Sequence, residues 1–447
     1  MKVTRSKRKK KVHVVADDTS VVSRAGSALL SGLADRVGLT DALSGAMAST
    51  RSRRAGHDPG VVLRDLAVML ADGGDALCDL GALRDQPDLF GGVASDSTAW
   101  RVIDSIDDER LQAIRDGRGR ARSRAWDLGV RPDEVVLDID ATLVTSHSDK
   151  QDAAATYKRG FGFHPIVCHL DETTEALAGM LRPGNAGANT AADNIRVLAE
   201  ALCQIPEAVR EDPARRVLVR ADSAGATHGF LDAVRQMGCG FSVGFDLTEP
   251  VRKAVLALPE GAWSPALTTT GAQRKGAQVA EIFLPLPGWP GGSRTICRRE
   301  RPHPGAQLSF TDHEGHRFQV FLTDQDGDDV APLELRHRGH ARIEDRIRCA
   351  KDTGLRNLPF HGYAANAVWV ELVLIAQDLI AWAQTLLLDG ELARAEPKRL
   401  RYRLLHTAGR LTRSARRVVL HLSKHWTWAN PLVRAFVRLH ALPAPAG

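Results

Sequence analysis

Three acidic residues in different parts of the sequence are the candidates for chemistry. Asp140 lies in the apolar segment VVLDIDATLV, Asp222 ends the segment RVLVRAD, and Glu344 lies in the charged segment RHRGHARIEDRIRCAKDTG. The first two segments are typical of β-strands and the third of a helix. Three carboxylates from two strand ends and a helix could together hold two divalent metal ions against a phosphodiester. The sequence therefore predicts metal-dependent cutting and joining of DNA strands.

A second acid, Asp138, accompanies Asp140 on the first predicted strand. Residues two apart on a strand face the same side of the sheet, so the two carboxylates project together. Buried side by side they repel each other, unless a cation compensates their charge. We expect a divalent metal to do so, with Asp140 as a ligand and Asp138 as a further ligand or support. Two alternatives stay open: one acid of this pair caps a turn, and Asp222 caps a helix.

The predicted helix of Glu344 carries further polar residues on one face. Residues at steps of three or four share a face of a helix, and this face has the sequence positions His337, His340, Glu344, Arg348 and Lys351. Glu344 is a candidate metal ligand, and the neighbouring cations could hold the phosphates that flank a scissile bond. The alternative is a solvated surface stripe.

The elements around these residues predict several regions in 447 residues, enough for two or three domains. Residues 16–130 have helical periodicity, and a bundle of short helices behind a basic arm could bind DNA or could be a plain helical domain. Residues 131–245 alternate strands and helices, which favours a mixed α/β sheet. The expected boundaries are 1–15 for a disordered basic arm, 16–130, 131–245, 246–334 for a β-rich insertion, 335–390 for the completion of the core, and 391–447 for a basic helical tail.

The net charge of +6 hides a strong asymmetry. Residues 2–11 contain seven Lys or Arg and no acid, and from Arg394 to the end there are twelve basic residues against one acid, Glu396. The region between the two basic ends therefore carries about −12. Basic ends favour a polyanionic partner because each neutralised phosphate releases counterions. Solvated charged ends are the alternative.

Other features of the sequence indicate in which cellular compartment the protein is expected. The six cysteines form no Cys-x-x-Cys pair, so neither a zinc site nor a disulfide framework follows, and a reducing compartment is expected. The basic start has no apolar run of a secretory signal behind it. No segment reaches about 18 consecutive apolar residues, which argues against a membrane span. We expect a cytoplasmic protein without a membrane partner.

Four motifs together resemble the catalytic core of bacterial insertion-sequence transposases of the DDE superfamily. These motifs are VLDIDATLV, YKRGFGFHPI, VRADSAGATHGFL and HARIEDRIRCAKDTGL, and they lie between Glu134 and Gly354. The resemblance is to domain group one, which has a ribonuclease H-like fold and a β-rich insertion before the catalytic glutamate. It implies that residues 131–245 and 335–390 form that fold. The gaps of 82 residues from Asp140 to Asp222 and 122 from Asp222 to Glu344 leave room for the insertion.

This resemblance implies cut-and-paste cleavage and strand transfer at inverted-repeat ends. Asp140, Asp222 and Glu344 would be catalytic and would hold two Mg2+ ions, with Mn2+ as an alternative. Double-stranded DNA at the transposon ends and at the target would be the partner, bound by a homodimer near the bacterial nucleoid. The subgroup signature Tyr-x2-Arg-x3-Glu-x6-Lys is matched by Glu344 and Lys351, whereas its Tyr and Arg positions hold His337 and His340. Arg338 or Arg342 could replace their phosphate contacts.

Further DNA contacts are predicted outside the acidic site. In resembling enzymes an aromatic residue of the insertion can stack on a flipped base, and Trp263 is the first candidate here, followed by Trp289. A tryptophan in a small β-domain is also a common core residue. Lys158 and Arg159, beside a glycine-rich turn, could contact the DNA backbone.

Two rival interpretations remain. LDIDATLV resembles the Asp-x-Asp-x-Thr motif of haloacid-dehalogenase-type phosphatases, in which Asp138 would be a covalent nucleophile and Asp140 the acid. Against this, the motif follows about 130 residues instead of opening the domain, and VRADSAGATH lacks the metal loop of those enzymes. The third interpretation is a catalytically inactive DNA-binding derivative, against which the intact trio of acids argues.

Overall fold

The structure is a computed structural model that describes residues 12–51, 56–147, 149–187, 190–212, 216–302, 305, 312–415 and 417–445. A disordered arm was predicted for residues 1–15. Of these, residues 1–11 lie outside the described residues. Residues 12–15 are exposed and form neither helix nor strand.

The region before residue 130 is helical. A short strand, β1 (Val21–Val22), precedes α1 (Ala28–Arg36), α2 (Leu39–Ala46), α3 (Pro59–Asp72), α4 (Gly81–Arg84), α5 (Pro87–Phe90), α6 (Asp96–Asp104) and α7 (Asp108–Ala125). Local capping chemistry sets where α3 begins: the Asp58 carboxylate accepts hydrogen bonds from the backbone N–H groups of Gly60 and Val61, at 2.8 and 3.3 Å. Ser95 caps α6 in the same way, accepting from the N–H of Thr98 at 3.3 Å.

The central part is a ribonuclease H-like mixed sheet, which confirms the predicted fold class. In chain order, the helices and strands of this central part are β2 (Val136–Ala141), β3 (Val144–Thr145), β4 (Ala154–Ala155), β5 (Phe161–Phe163), β6 (Ile166–Leu170), β7 (Ala176–Met180), α8 (Ala191–Cys203), α9 (Glu207–Arg210), β8 (Leu218–Ala221), α10 (His228–Gln236) and β9 (Gly240–Phe245). The strand order is β7-β6-β2-β8-β9. β6 is antiparallel to both of its neighbours, whereas β2, β8 and β9 are parallel. The small strands β3, β5 and β4 form a separate sheet.

The β-rich insertion extends the core sheet instead of forming a sheet of its own. It contains α11 (Glu249–Leu256), β10 (Ser264–Leu267), β11 (Gln273–Ile282), β12 (Arg294–Glu300), β13 (Asp312–His313) and β14 (His316–Thr323). β14 pairs with β9 in antiparallel register, Val320 opposite Phe245 and Thr323 opposite Ser242. The sheet then continues through β12 and β11 to β10. The insertion is therefore held to the central sheet by backbone hydrogen bonds.

Three helices follow: α12 (Val330–Arg338), α13 (Arg342–Ala350) and α14 (Tyr363–Leu387). In the described part of the chain, α14 is the one helix long and apolar enough to cross a membrane, with mean hydropathy 1.5 in its most apolar window. Of that window, 83% is buried inside the protein, between the sheet and the amino-terminal helices. The length of an apolar run therefore does not distinguish a membrane-spanning helix from a core helix here. Its burial inside the protein identifies α14 as a core helix.

A buried charge network ties the amino-terminal helices to the sheet. Arg118 and Arg122 of α7 are fully buried, and the Arg118 guanidinium lies 2.9 Å from Glu371 of α14. Arg122 donates to Glu175 before β7 at 3.0 Å and also binds the Asp378 carboxylate. Buried charges of this kind are stable only when they are paired. The helical region and the central sheet consequently share one core.

The carboxyl-terminal part differs from its prediction. The sequence predicted helices through the basic tail, but after α15 (Pro397–Leu400) the chain forms a hairpin of β15 (Gly409–Ser414) and β16 (Arg417–Leu422), followed by α16 (Ala429–Ala441). β15 also pairs with β1, so Val21 lies opposite Arg410. The β-branched residues Val418 and Val419 favour a strand, and β1 supplies a pairing partner nearly 400 residues away in sequence.

Candidate active site

Strand register brings Asp140 and Asp222 to the same end of the sheet. β2 and β8 are parallel neighbours, and Asp138 lies opposite Arg220. Two residues further along each strand, the chain reaches Asp140 on β2 and Asp222 just beyond β8. Because both strands run in the same direction, the two aspartates emerge together at their carboxyl ends, where α/β folds place functional groups.

Asp222 is held at the start of a tight turn. Its Oδ1 atom accepts hydrogen bonds from the backbone N–H groups of Ala224 and Gly225, at 3.0 and 3.3 Å. The capping role left open by the sequence is therefore real, but it engages one oxygen of an exposed carboxylate. β9 passes close to this turn at Gly244, where a Cβ atom would lie 2.7 Å from the backbone nitrogen of Ser223.

Asp140 shares its electrostatic environment with both other acids. Burial, repulsion from the Asp222 carboxylate and a smaller repulsion from Glu344 raise the pKa of Asp140 to about 6. The backbone N–H of Ala141, which donates to Asp140 at 2.7 Å, and the nearby His340 oppose this change. Glu344 is exposed near the start of α13. The fold thus gathers the charges of three acids that are 82 and 122 residues apart in sequence.

These carboxylates fit divalent cations by their chemistry. Oxygen ligands suit Mg2+ and Mn2+, and closely placed like charges without a compensating cation are what such an ion would stabilise. Across the described ranges, no group of three or more His, Cys, Asp or Glu side chains is positioned as a ready-made metal site. The three acids therefore share one electrostatic environment, although their side chains do not form a ready-made ion site.

Asp138 forms an ion pair with a buried arginine. The Arg220 guanidinium donates two hydrogen bonds to the two carboxylate oxygens of Asp138, at 2.8 and 2.6 Å, and His340 Nδ1 lies 2.8 Å from Oδ1. Both carboxylate oxygens of Asp138 are thus engaged by arginine, which favours its expected role as a support for Asp140 over that of a metal ligand. Arg220 is 1% exposed and also lies 2.8 Å from Asp171, which binds Arg342 through both carboxylate oxygens.

The predicted face of the Glu344 helix is interrupted. α12 ends at Arg338, a 3-10 turn covers Gly339–Ala341, and α13 begins at Arg342. A Cβ atom at Gly339 would lie 2.4 Å from Nη1 of Arg220, so glycine there lets the arginine reach the backbone beneath the site. His337, His340 and Glu344 consequently have three different environments.

The two histidines predicted to contact DNA are engaged inside the protein. His337 stacks on the Phe321 ring with centroids 4.3 Å apart, and its Nδ1 lies 3.0 Å from the hydroxyl of Ser242. Burial lowers the pKa of His337 to about 3, so it is neutral at physiological pH. His340 is bound to Asp138. The prediction of direct phosphate contacts is therefore wrong for His337 in this conformation, and His340 supports Asp138.

Of the predicted cations, Lys351 interacts electrostatically with Asp140 and also with Lys158. Lys351 is half-buried; burial together with the charges of Lys158 and Arg356 lowers its pKa, whereas Asp140 raises it. Lys158 and Arg159 are exposed in the turn before β5, and Arg159 has a φ of 60°. A cationic group thus faces Asp140 from the turn that follows α13.

Two predicted arginines and Trp263 have other partners. Arg342 is bound to Asp171, and Arg348 is shared between Asp345 at 3.1 Å and Glu396 at 2.9 Å. Trp263 is 8% exposed in the hydrophobic core of the insertion, with the Arg299 guanidinium 4.3 Å above its ring. The prediction that Trp263 stacks on a base is wrong for this conformation, because both the core and the arginine cover it.

Comparison with known families identifies the chain. The family model described as transposase DDE domain group 1 matches residues 4–444. The chain belongs to this transposase family. Among solved structures it is similar to the piggyBac transposase in a synaptic complex with hairpin DNA, with 11% identity, a TM-score of 0.41 and coverage of 86% of this chain and 80% of that chain. A comparison with curated proteins gives no match.

For a transposase of this family, the ion pair of Asp138 disfavours the phosphatase interpretation. A carboxylate that accepts two bonds from a buried guanidinium is a poor nucleophile, because attack would leave Arg220 unpaired. Arg220 and Asp171 are residues that the sequence analysis missed. Arg220 was detectable in principle: a basic residue inside an apolar strand, two positions before Asp222, needs an acidic partner in the core.

Proposed function

We propose that this transposase cleaves DNA at the ends of its element and joins the freed ends to target DNA, in a metal-dependent cut-and-paste reaction. The observation that supports the proposal is the repulsion among Asp140, Asp222 and Glu344 at one end of the sheet. Carboxylates gathered in this way are costly in the protein alone and useful for binding cations.

In this proposal the three acids would hold two Mg2+ ions, with Mn2+ as an alternative. The bound ions would supply Lewis-acid stabilisation of the charge that develops on the scissile phosphodiester. Lys351, whose charge faces Asp140, would bind a phosphate beside the scissile bond. Lys158 and Arg159 would contact the DNA backbone from the adjacent turn.

The network beneath the acids would position them. Arg220 fixes β2 to β8 through Asp138, and the contact of Asp138 with His340 fixes the turn that leads into α13. The relative position of Asp140, Asp222 and Glu344 therefore depends on a chain of buried hydrogen bonds. Each positioning contact would matter, since small displacements of reacting groups reduce rates strongly.

Double-stranded DNA at the transposon ends and at the target is the proposed substrate, brought together by two copies of the chain. An alternative within the same family is a protein that binds DNA but no longer cuts it. The test is to incubate the wild-type protein with duplexes that carry the element's ends, once with Mg2+ and once with EDTA, and to measure strand cleavage. Cleavage that requires Mg2+ supports the transposase reaction, whereas binding without cleavage supports the alternative.

The site itself is tested by Asp140→Ala, Asp222→Ala and Glu344→Ala, each assayed for cleavage and for end binding. We expect cleavage to fall by roughly a thousandfold or more, with end binding within about twofold to threefold of wild type. Asp345→Ala is the matched control, because Asp345 is the exposed acid next to Glu344 and pairs with Arg348. Full excision by any of the first three variants would refute the assignment.

A further inference from the structure

We propose that residues 398–415 and 417–426 of the carboxyl-terminal part form a docking surface for double-stranded DNA that leads from the β15–β16 hairpin to the catalytic acids. This inference rests on the proposed function and adds the surface that would hold the duplex. It concerns residues that the sequence analysis placed in helices.

The hairpin presents an uncovered strand with positive charge. β16 pairs with β15 on one side and has no strand on its other side within the described residues. Val418 and Val419 are 60% and 44% exposed, although valines of a strand are normally buried. Leu411 of β15 faces inward and packs with Val22 beneath the hairpin. The hairpin is therefore anchored at Leu411, whereas both faces of β16 are exposed farther out, at the successive residues Val418 and Val419.

The charge of this surface selects a polyanion over another protein strand. No Asp or Glu follows Glu396 in the sequence, whereas Arg417 and Lys424 lie exposed at the two ends of β16. Among the described residues Arg417 forms no ion pair, in contrast to Arg410 and Arg413, which bind Asp18 and Asp88. Two copies of such a strand would repel each other, and a two-stranded ribbon has the dimensions to enter the major groove of DNA.

A cavity of about 650 Å³ continues the surface from the base of the hairpin. Its lining includes His425, Trp426 and Tyr402. Tyr402 is 71% exposed and meets the Trp426 ring edge-on at 5.9 Å. Exposed aromatic rings beside cations suit the sugar–phosphate edge of a nucleic acid, which offers both apolar and charged groups.

The same surface is linked to the catalytic site through Asp352 and its sequence neighbour Lys351, which interacts electrostatically with Asp140. Lys398, which also lines the cavity, lies 2.9 Å from the Asp352 carboxylate. Asp352 directly follows Lys351, the cation that faces Asp140, and its carbonyl accepts a hydrogen bond from Arg401 at 2.8 Å. A duplex lying along the hairpin and the cavity would thus be guided toward the acids, and DNA held there would position the scissile bond.

The test removes the two exposed cations of the hairpin, Arg417→Ala with Lys424→Ala, in the full chain. The matched control, Arg196→Ala with Arg210→Ala, removes two exposed arginines of the catalytic core. The probe is a fluorescent duplex carrying one end of the element, measured by anisotropy between 50 and 200 mM salt, roughly the range in which phosphate contacts are lost.

We expect the hairpin variant to bind the duplex at least about tenfold more weakly at physiological salt, with a salt-dependence slope smaller by about 2, one for each lost phosphate contact. The control should stay within about twofold of wild type. Equal binding by the hairpin variant and the control would overturn the proposal. A larger loss of affinity for single-stranded DNA of the same sequence than for the duplex would also overturn the proposal. A change of the free hairpin variant from dimer to monomer would do so as well.

Failure of this inference is distinguishable from failure of the proposed function. If the wild-type protein cleaves its ends but the hairpin variant binds normally, the docking surface is wrong and the transposase reaction stands. If the wild-type protein does not cleave but the hairpin variant loses duplex binding, the surface stands and the reaction is wrong.

Discussion

Asp138 and Arg220 lie opposite each other on adjacent parallel strands and are joined by two hydrogen bonds of 2.8 and 2.6 Å. This pair sets the register of β2 against β8, and the same register places Asp140 beside Asp222. A structural ion pair and the candidate catalytic pair are thus two consequences of one strand alignment, separated by two residues along each strand.

Removing Arg220 should destabilise the protein strongly. Arg220→Ala leaves the buried Asp138 carboxylate without its main partner, and we expect the free energy of unfolding to fall by about 3–5 kcal/mol. Urea unfolding followed by circular dichroism measures this. The double variant Asp138→Leu with Arg220→Met removes both charges and should recover a large part of the loss. If the double variant were no more stable than Arg220→Ala, the cost would lie in the lost contact of Arg220 with Asp171 and not in the unpaired charge of Asp138.

Replacing Asp140 should make the metal-free protein more stable. Burial and the repulsion from Asp222 and Glu344 raise the pKa of Asp140, so its ionised form is disfavoured in the folded state at neutral pH. Asp140→Asn at pH 7.5 in EDTA should therefore raise the free energy of unfolding by about 1–3 kcal/mol. Thermal unfolding measures the difference. Mg2+ should stabilise the wild-type protein more than the variant, and an equal response of the two would contradict a role for Asp140 in metal binding.

The contact between His406 and Asp72 should make stability depend on pH. The side-chain hydrogen bond and the charge of Asp72 raise the pKa of His406 above its usual value near 6.5. A histidine with a raised folded pKa contributes its full stabilisation below the unfolded value and loses it as pH rises through the folded one. The stability difference between wild type and His406→Gln should consequently be larger at pH 6 than at pH 8.5. A difference that grew with pH would show that the charged histidine is not the stabilising form.

Trp263 should behave as a core residue. Its ring is buried in the insertion beneath Arg299, so Trp263→Ala should cost about 3–5 kcal/mol, as large-to-small substitutions in cores do. Trp263→Phe keeps most of the apolar volume and should retain end binding and cleavage within about threefold. A selective loss of cleavage in Trp263→Phe, without a change in thermal stability, would instead support contact with DNA during the reaction.

The sequence by itself predicted many of the secondary-structure elements and the candidate acids. The period-2 and period-3.6 patterns placed the sheet strands and the amino-terminal helices, because apolar residues must repeat with the geometry of the element that buries them. The acids at the ends of β2 and β8 were also detectable. A charged residue in an apolar strand is costly to bury, so it indicates a partner or a functional role. The family resemblance then linked Asp140 and Asp222 to Glu344 across 122 residues of insertion.

Tertiary structure alone decided which charges are paired and which remain open. The sequence could not show that Asp138 binds Arg220, that His337 is buried against Phe321, or that the basic tail forms a strand against Val21–Val22. Each of these contacts joins residues far apart in the chain, and local propensity contains no information about such a partner. A segment such as RVVLHL becomes a strand or a helix according to what lies beside it, and that neighbour is fixed only once the chain has folded.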